Sequence, residues 1–308
     1  MTQRRHLLAP DVLVLLCGVV AAMHVGKLPT ALPVLRDTFG LSLVESGFLL
    51  SLVQAAAMTL ALAVGLAVDR IGLRAALSVG LVTLAAASAA GSAAQSAATL
   101  AAWRAAEGLG FLFVTLAAPA LIRRLVAPER IDVRMGWWGA YMPCGTALAL
   151  VGGPGVMAVV GWSGWWMVLA VLAALLAAWS ARALPQEPGR DAVSQPSEAG
   201  SWAAPVRDTL SSRGPWLLAL TFAAYSSQWL TVIGFLPTLY ADAGIAASTA
   251  GLLTAGVALA NVLGNVASGR LLQRGVPRLM LLWMGFATMA CGAFVAFGLE
   301  AQTSPGMR

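Results

Sequence analysis

Gly65-Leu66-Ala67-Val68-Asp69-Arg70-Ile71-Gly72-Leu73-Arg74 recurs 204 positions later as Gly269-Arg270-Leu271-Leu272-Gln273-Arg274-Gly275-Val276-Pro277-Arg278, with the second glycine shifted by one place. A second stretch repeats at the same separation, because Leu32-Pro33-Val34-Leu35 returns as Leu236-Pro237-Thr238-Leu239. All four stretches lie at the ends of long apolar segments. Duplicated groups of membrane helices are typical of secondary transporters, in which two similar halves rock about a central site. The repeat therefore predicts a membrane carrier.

The composition places the chain in lipid. Hydrophobic residues make up 59% of the sequence and charged residues only 10%, with a mean hydropathy of +0.81. A soluble protein has about 25% charged residues. Runs of this length and uniformity predict helices and exclude barrel strands, so we expect an all-α membrane protein. The predicted spans are residues 12–35, 46–68, 75–95, 98–122, 136–160, 163–184, 215–239, 248–271 and 279–299.

The positions of the basic residues predict the orientation of the protein. Fifteen of the nineteen lysines and arginines fall in alternate loops, which places the N-terminus in the cytoplasm and the chain in the plasma (inner) membrane as a multi-pass protein. This bias explains the net charge of +6 without a nucleic-acid partner. Trp162, Trp165 and Trp166, at the outer start of the sixth span, are predicted to be anchors at the membrane surface.

A polar segment divides the chain. Residues 185–201 are rich in proline, serine and charge and cannot bury apolar area, so the sequence predicts a flexible cytoplasmic linker over residues 185–214. Six spans precede this linker and three follow it. The predicted domains are an N-terminal six-helix half (1–184), the linker (185–214) and a partial C-terminal half with three helices (215–308).

Other function classes lack their usual residues. Cys17, Cys144 and Cys291 lie in separate spans, which indicates neither a disulfide set nor a metal site. With two histidines in the whole sequence, no catalytic constellation is expected and the chain is not predicted to be an enzyme. No phosphate-binding loop of the ATPase type is present, and no cofactor is expected.

With six spans before a polar linker and the loop stretch Gly65–Arg74, the chain resembles the major facilitator superfamily, whose members join two six-helix halves by a cytoplasmic loop. The resemblance depends on a signature in the loop after the second helix, present here as Gly65, Asp69, Arg70, Gly72 and Arg74. It implies a conformational latch, in which Gly65 permits close helix approach and Gly72 makes a tight turn. An alternative is that the two arginines only set the topology and that Asp69 caps a helix.

Two further patterns are similar to motifs of the same family. Arg104, Glu107, Gly108 and Gly110 resemble the fourth-helix motif in which a buried arginine serves the substrate or the proton, and residues 145–155 loosely resemble the glycine–proline motif of proton-driven exporters. Helix packing alone is the alternative explanation for the second pattern. Residues 26–29, 32–33 and 136–139 are most similar to the cyanate-transporter-like branch.

Ionisable residues inside the spans are the candidate binding site. Such residues are costly in a membrane and usually face a cavity. Lys27, the single lysine, lies about 8 Å from the outer boundary by helical rise and Arg104 about 9 Å from it, so the two are predicted to share a level. His24 and Glu107 fall in one deeper layer. Two cations and one carboxylate make the pocket net positive, which favours an anionic substrate.

Alternatives to this interpretation stay open. Lys27 reaches the membrane surface instead if the first span ends at Pro29, and Arg104 pairs with Glu107 alone if the two only stabilise their helix. His24 is either a proton carrier or a plain hydrogen-bonding residue. On the seventh span, Tyr225, Gln228 and Trp229 are either solute contacts or hydrogen-bonding residues between helices.

The sequence thus predicts a major-facilitator-like helical bundle that acts as a secondary active transporter. Its partners are a small-molecule substrate, with an organic or inorganic anion as the candidate class, the lipid bilayer and, as a candidate coupling ion, the proton. The alternatives are a proton-driven multidrug exporter and a non-transporting membrane fragment. Members of the family continue for three more helices, so the sequence predicts a fragment that does not transport by itself, and no partner chain is defined.

Overall fold

The structure, a computed structural model, describes residues 9–185, 203–245 and 247–295. These residues form α-helices joined by short turns, including a 3-10 turn at Pro128–Arg130. The helices are α1 (Pro10–Phe39), α2 (Leu43–Ile71), α3 (Leu73–Ser92), α4 (Ala97–Leu125), α5 (Ile131–Gly139), α6 (Tyr141–Ala183), α7 (Ala203–Ser211), α8 (Arg213–Asp242), α9 (Ala247–Gln273) and α10 (Arg278–Ala293).

The apolar spans predicted from the sequence correspond to these helices. Six helical stretches in the described part of the chain are long and apolar enough to cross a membrane, and α10 is a shorter apolar helix. The fifth and sixth predicted spans are joined in α6, which contains Gly161 with φ 70° and ψ 178°. This conformation is not helical, so α6 consists of two helices that meet at a kink near the predicted boundary.

The repeat seen in the sequence is also present in the backbone. α1 is followed by Gly40 with φ 65° and α8 by Gly244 with φ 74°. The turn after α2 contains Gly72 with φ 88°, and the turn after α9 contains Gly275 with φ 87°. Positive φ angles are strained for residues with a Cβ atom, so glycine ends the helix at all four places. The two copies thus share their helix ends.

The core lies among α1, α3, α4 and α6. α3 and α4 cross closely, because a Cβ atom on Gly80 would lie 2.7 Å from the carbonyl oxygen of Gly110. Two apolar clusters fill this region, one around Leu77 and Leu81 and the other around Leu28, Trp165 and Trp166. α1 passes through both, and its polar residues lie at the level between them.

The predicted linker is helical in part. Residues 186–202, the polar Pro/Ser-rich portion, lie outside the described residues. At the C-terminal end of the predicted linker (185–214), Ala203–Ser211 forms α7 and α8 begins at Arg213, so this end is helical rather than extended. The proline- and serine-rich composition ends before this stretch, so the reason for predicting flexibility does not extend to it. Residues 296–299 of the last predicted span also lie outside the described residues.

Candidate functional site

Lys27 is fully buried in the middle of the first helix. The alternative in which the first span ends at Pro29 and Lys27 reaches the membrane surface is wrong, because α1 continues through Pro29 and Pro33 to Phe39. Prolines are tolerated within membrane helices when neighbouring helices and side chains satisfy the freed backbone groups. The lysine therefore needs its partners inside the protein.

Glu107 on α4 is the central acceptor for these partners. Lys27 Nζ donates a hydrogen bond to Glu107 Oε1. Arg104 Nη1 donates to the other carboxylate oxygen, Oε2, at 2.5 Å. His24 Nδ1 lies 3.7 Å from Glu107 Oε1. Bonds between ionised groups are roughly twice as strong as neutral ones, so this carboxylate joins α1 to α4. We call His24, Lys27, Arg104 and Glu107 the charged cluster.

Arg104 adds a second connection between the same helices. Its Nη1 atom also donates to the backbone carbonyl oxygen of His24 at 2.7 Å. Arg104 and Glu107 thus do form the local pair that the sequence left open as an alternative, but the pair is part of a larger group. All four side chains of the charged cluster are at most 1% exposed.

Two residues that the sequence analysis did not assign to the site complete it. Ser88 on α3 accepts a hydrogen bond from Lys27 Nζ at 2.7 Å and donates one to the carbonyl oxygen of Trp166 at 2.8 Å. Lys27 Nζ also lies 4.5 Å from the centre of the Trp166 ring, in a cation–π contact. The prediction of Trp165 and Trp166 as surface anchors is wrong, since both are buried in the core. Ser88 lies between alanines on both sides in the sequence, and a hydroxyl in this apolar setting is the signal that pointed to it.

The predicted two layers do not exist. Helical rise placed Lys27 level with Arg104 and put His24 and Glu107 deeper, yet Lys27 bonds directly to Glu107 and Arg104 reaches the backbone of His24. Rise per residue gives the depth of a Cα atom only, whereas long side chains extend several ångströms along the helix. The four residues therefore converge in one group.

The charged cluster carries an unbalanced charge. With His24 neutral, Lys27 and Arg104 contribute two positive charges and Glu107 one negative charge, which leaves one net positive charge in the core. Buried charges are costly unless paired. Arg104 Nε and His24 Nε2 are buried and have no hydrogen-bond partner among the described residues. The arrangement can therefore attract an anion or lose a proton.

The charged cluster is closed to solvent in the described structure. Its side chains are at most 1% exposed, and they contact residues of α1, α3, α4 and α6. An apolar groove of about 480 Å³ lies elsewhere, between α3 and α6, and contains none of the candidate site residues. Its lining residues are Ser78, Val82, Ala85, Ala86, Ala174, Ala177, Ala178 and Ala181.

The candidate residues on α8 lie apart from the charged cluster. Tyr225 accepts a hydrogen bond from Asn261 on α9 at 2.9 Å, and Gln228 donates one to the carbonyl oxygen of Met289 on α10 at 3.1 Å. Trp229 is half-buried. Within the described chain, no hydrogen bond or ion pair joins these three residues to the charged cluster. Tyr225 and Gln228 connect neighbouring helices, as in the second alternative of the sequence analysis.

The loop signature after α2 has a different arrangement from the one expected. Gly72 makes the tight turn between α2 and α3, as predicted. Gly65 does not permit a close helix approach, because no described atom of another helix lies within 4 Å of a Cβ atom placed on it. Asp69 and Arg70 are exposed. Arg74 donates a hydrogen bond to the carbonyl oxygen of Ala181, which joins α3 to the end of α6.

Comparison with known proteins identifies the family. The sequence model of the Major Facilitator Superfamily matches residues 14–307. The chain belongs to this superfamily. With its long apolar helices, it is a multi-pass membrane protein. No curated protein sequence matches the chain significantly.

Solved structures of the superfamily have a similar fold. A D-xylose–proton symporter has a TM-score of 0.56 and 16% identity, and the match covers 82% of this chain and 66% of that one. The proton:xylose symporter XylE bound to 6-bromo-6-deoxy-D-glucose has a TM-score of 0.64 and 13% identity, with 85% and 68% covered. This superfamily member thus spans about two thirds of the length of these relatives, and the similarity concerns the fold.

Proposed function

We propose that this protein is a secondary active transporter that moves a small anion across the plasma (inner) membrane by alternating access. Its family and its long apolar helices support the transport class. The choice of an anion depends on one observation, the net positive charge of the charged cluster. The resemblance to the cyanate-transporter-like branch is consistent with a small anion.

The proposed topology follows from the basic loops. The N-terminus lies in the cytoplasm, because most arginines occupy loops on one side of the membrane. Residues 1–184 form one half, residues 185–214 connect it, and residues 215–308 contribute part of the second half. Tyr225, Gln228 and Trp229 remain the proposed contacts from the second half.

Lys27 and Arg104 are the proposed anion-binding residues. In the enclosed arrangement Glu107 occupies both of them. An anionic solute that enters between α1 and α4 replaces this carboxylate, because each cation needs an anionic partner when it is removed from water. Substrate binding and internal pairing therefore compete for the same donors.

Proton coupling follows from the same competition. Protonation of Glu107 removes its charge and frees two cations for the solute, so binding of a proton favours binding of an anion. His24 is the proposed second proton carrier, since its Nδ1 atom lies 3.7 Å from Glu107 and its Nε2 atom has no partner in the described chain. The names of the two solved relatives record proton symport, which supports this part of the proposal.

A proton-driven exporter is the second candidate. Gly145 and Gly153 pack tightly against α1, so helix packing explains these two glycines. Gly152 and Gly155 have open space around them in the described structure, and packing does not explain their presence beside Pro154. This half of the glycine–proline pattern is the observation that favours export.

Flux through the purified chain in liposomes tests the proposal. Under an imposed pH gradient, transport by this chain gives saturable uptake of labelled small anions, which Lys27→Gln lowers by at least about tenfold, whereas the non-transporting fragment predicted from the sequence gives no protein-dependent uptake. Arg182→Gln, which removes an exposed arginine, is the matched control and leaves uptake unchanged. Efflux of a hydrophobic cation without anion uptake favours the exporter. Absence of any protein-dependent flux overturns transport by this chain.

A further inference from the structure

The groove between α3 and α6 is open at the surface of the bundle. Its volume of about 480 Å³ lies within the range of about 300–1,000 Å³ for small-molecule sites. Val82 on α3 and Ala174 and Ala178 on α6 line it and are exposed. Both helices lie in stretches that are long and apolar enough to cross a membrane. Exposed apolar side chains on such helices contact the lipid chains, so the groove opens toward lipid.

The length of the groove is close to the thickness of one lipid leaflet. Its lining on α3 extends from Ser78 to Ala86, about 12 Å of helix at about 1.5 Å per residue. On α6 it extends from Ala174 to Ala181, about 10 Å. Half of a hydrocarbon core about 30 Å thick is about 15 Å. Because α3 begins at Leu73, Ser78 lies close to the turn after α2, and the groove covers most of the leaflet next to the basic loops.

Polar groups lie at this end of the groove. Ser78 is the one lining residue with a polar side chain. Arg74 lies one turn before Ser78 on the same face of α3. Its guanidinium donates a hydrogen bond to the carbonyl oxygen of Ala181, a lining residue of α6. This bond fixes the guanidinium at the end of the groove but does not neutralise its charge. The groove therefore begins with a cation and a hydroxyl and continues with alanine and valine.

We propose that the groove binds an anionic phospholipid of this leaflet, with the phosphate at Arg74 and one acyl chain along the alanines. The order of the groups in the groove matches the order in such a lipid, from charged headgroup to apolar chain. Basic pockets between membrane helices bind anionic headgroups, and a guanidinium fits phosphate oxygens in a planar, bidentate geometry. A helix of a second chain also fits small side chains, but it does not account for the cation at one end.

The lipid site goes beyond the proposed function. The residues that line the groove are separate from the charged cluster, and lipid binding does not require transport. A bound lipid contacts α3 and α6 at the end where Arg74 already joins them. The lipid therefore stabilises the packing of these two helices, and the last residue of the loop signature has a role that differs from a latch.

Native mass spectrometry of the purified, delipidated full chain tests the headgroup. Phosphatidylglycerol and phosphatidylcholine with the same oleoyl chains are added in equal amounts, so that the two lipids differ in the headgroup only. We expect phosphatidylglycerol to be retained in preference. Arg74→Gln should lower its retention about fivefold, since one arginine near the membrane surface contributes about this much to the binding of an anionic lipid. Arg74→Lys keeps the positive charge and should retain at least about half of the bound lipid.

Larger side chains in the groove test the position of the acyl chain. Ala178→Leu enlarges an exposed side chain of the lining and should lower retention of phosphatidylglycerol by at least about threefold. Ala174→Leu does the same further along the groove, which preserves the test if one variant does not fold. The matched controls are Val171→Leu, at an exposed position of α6 outside the lining, and Arg270→Gln, which removes an exposed arginine from α9. Both should leave retention unchanged.

Several outcomes contradict the lipid site. Unchanged retention of phosphatidylglycerol in folded Arg74→Gln and in a folded groove variant overturns the proposal, as does equal retention of the two lipids by the unaltered chain. A dimer that retains no phospholipid and dissociates after Ala178→Leu also overturns it, because a second chain then fills the groove. None of these measurements uses transport. A failure of the lipid site therefore leaves the proposed function unaffected, and absence of flux in liposomes leaves the lipid site unaffected.

Discussion

The first three helices and the three helices that begin at α8 share their backbone plan but differ in their surroundings. α1 and α8 are each 30 residues long, and matching glycines end the corresponding helices. Ten residues of α3 are buried, whereas none of the residues of α10 is. Local sequence thus determines where each helix ends in both copies. The depth of burial depends on the neighbours, because α4 and α6 cover α3.

The two copies also differ in how polar residues connect their first and third helices. In the first copy Lys27 reaches Ser88 on α3 at 2.7 Å, and in the second Gln228 reaches the Met289 carbonyl on α10 at 3.1 Å. A buried lysine requires a carboxylate, which α4 supplies, whereas the part-buried amide of Gln228 is neutral and needs no ionised partner. The charged copy therefore depends on the pairing of Lys27 with Glu107, and the neutral copy has no such requirement.

Removing the carboxylate tests this difference most strongly. Glu107→Gln leaves two buried cations without an anion, and we expect the free energy of unfolding to fall by about 3–5 kcal/mol. Gln228→Leu removes one neutral hydrogen bond in the other copy, and should cost only about 1 kcal/mol. Titration with SDS in mixed micelles, followed by circular dichroism, measures both values.

The ratio of these two losses in the free energy of unfolding shows whether the charged cluster stabilises the first copy more than the neutral contact stabilises the second. If Glu107→Gln costs no more than Gln228→Leu, the charged cluster does not stabilise the first copy and its charges are compensated in another way. Arg182→Gln, which removes an exposed arginine, is the control for a change of charge alone and should have little effect on the same titration.

Charge balance predicts that a second substitution relieves the first. Lys27→Met leaves Arg104 and Glu107 as a neutral pair, so it should destabilise less than Glu107→Gln. The double variant Lys27→Met/Glu107→Gln should cost about 2 kcal/mol less than the sum of the two single variants, because the lysine is harmful only without its partner. Strict additivity in the same titration would contradict the pairing of these two residues.

Much of the fold was predictable because it depends on local sequence. Apolar runs of about 20 residues define membrane helices, and glycines such as Gly72 are needed wherever the backbone takes a positive φ angle. Both copies of the repeat contain these apolar runs and turn glycines. Gly161 shows the limit, since the sequence placed a boundary there but gave no sign that the two helices would follow each other directly, with a kink in place of a loop.

The partners within the site were less predictable, because they depend on how helices are rotated and how far side chains extend. Depth along each helix brought Lys27 and Glu107 into neighbouring layers, but did not show that a long lysine side chain would join them. Tryptophan is a residue type typical of anchors at the membrane surface. Trp166 nevertheless lies in the core, because α6 orients its ring toward Lys27. Gly65 matched the family signature, yet no other helix of the described chain packs against it.

The glycine turns provide a comparison in which the copies should behave alike. Gly72 and Gly275 have φ angles of 88° and 87°, so Gly72→Ala and Gly275→Ala should each cost about 1–3 kcal/mol. Gly65→Ala, at a helical position with open space around it, is the control and should be neutral or slightly stabilising. Thermal unfolding of the purified variants ranks the three. A strong effect at only one of the two turns would show that the copies differ in backbone as well as in packing.

Ser88 and Gly292, which are 204 positions apart, give the smallest expected difference. Ser88→Ala removes the hydroxyl that joins Lys27 to the Trp166 carbonyl, and we expect a loss of about 1 kcal/mol in the SDS titration. Gly292→Ala adds a methyl group where the described structure has open space, and should be neutral. In a Lys27→Met background Ser88→Ala should cost less, because the serine then has no cation to accept from. An undiminished loss in that background would mean that Ser88 stabilises α6 through Trp166 alone and does not position the lysine.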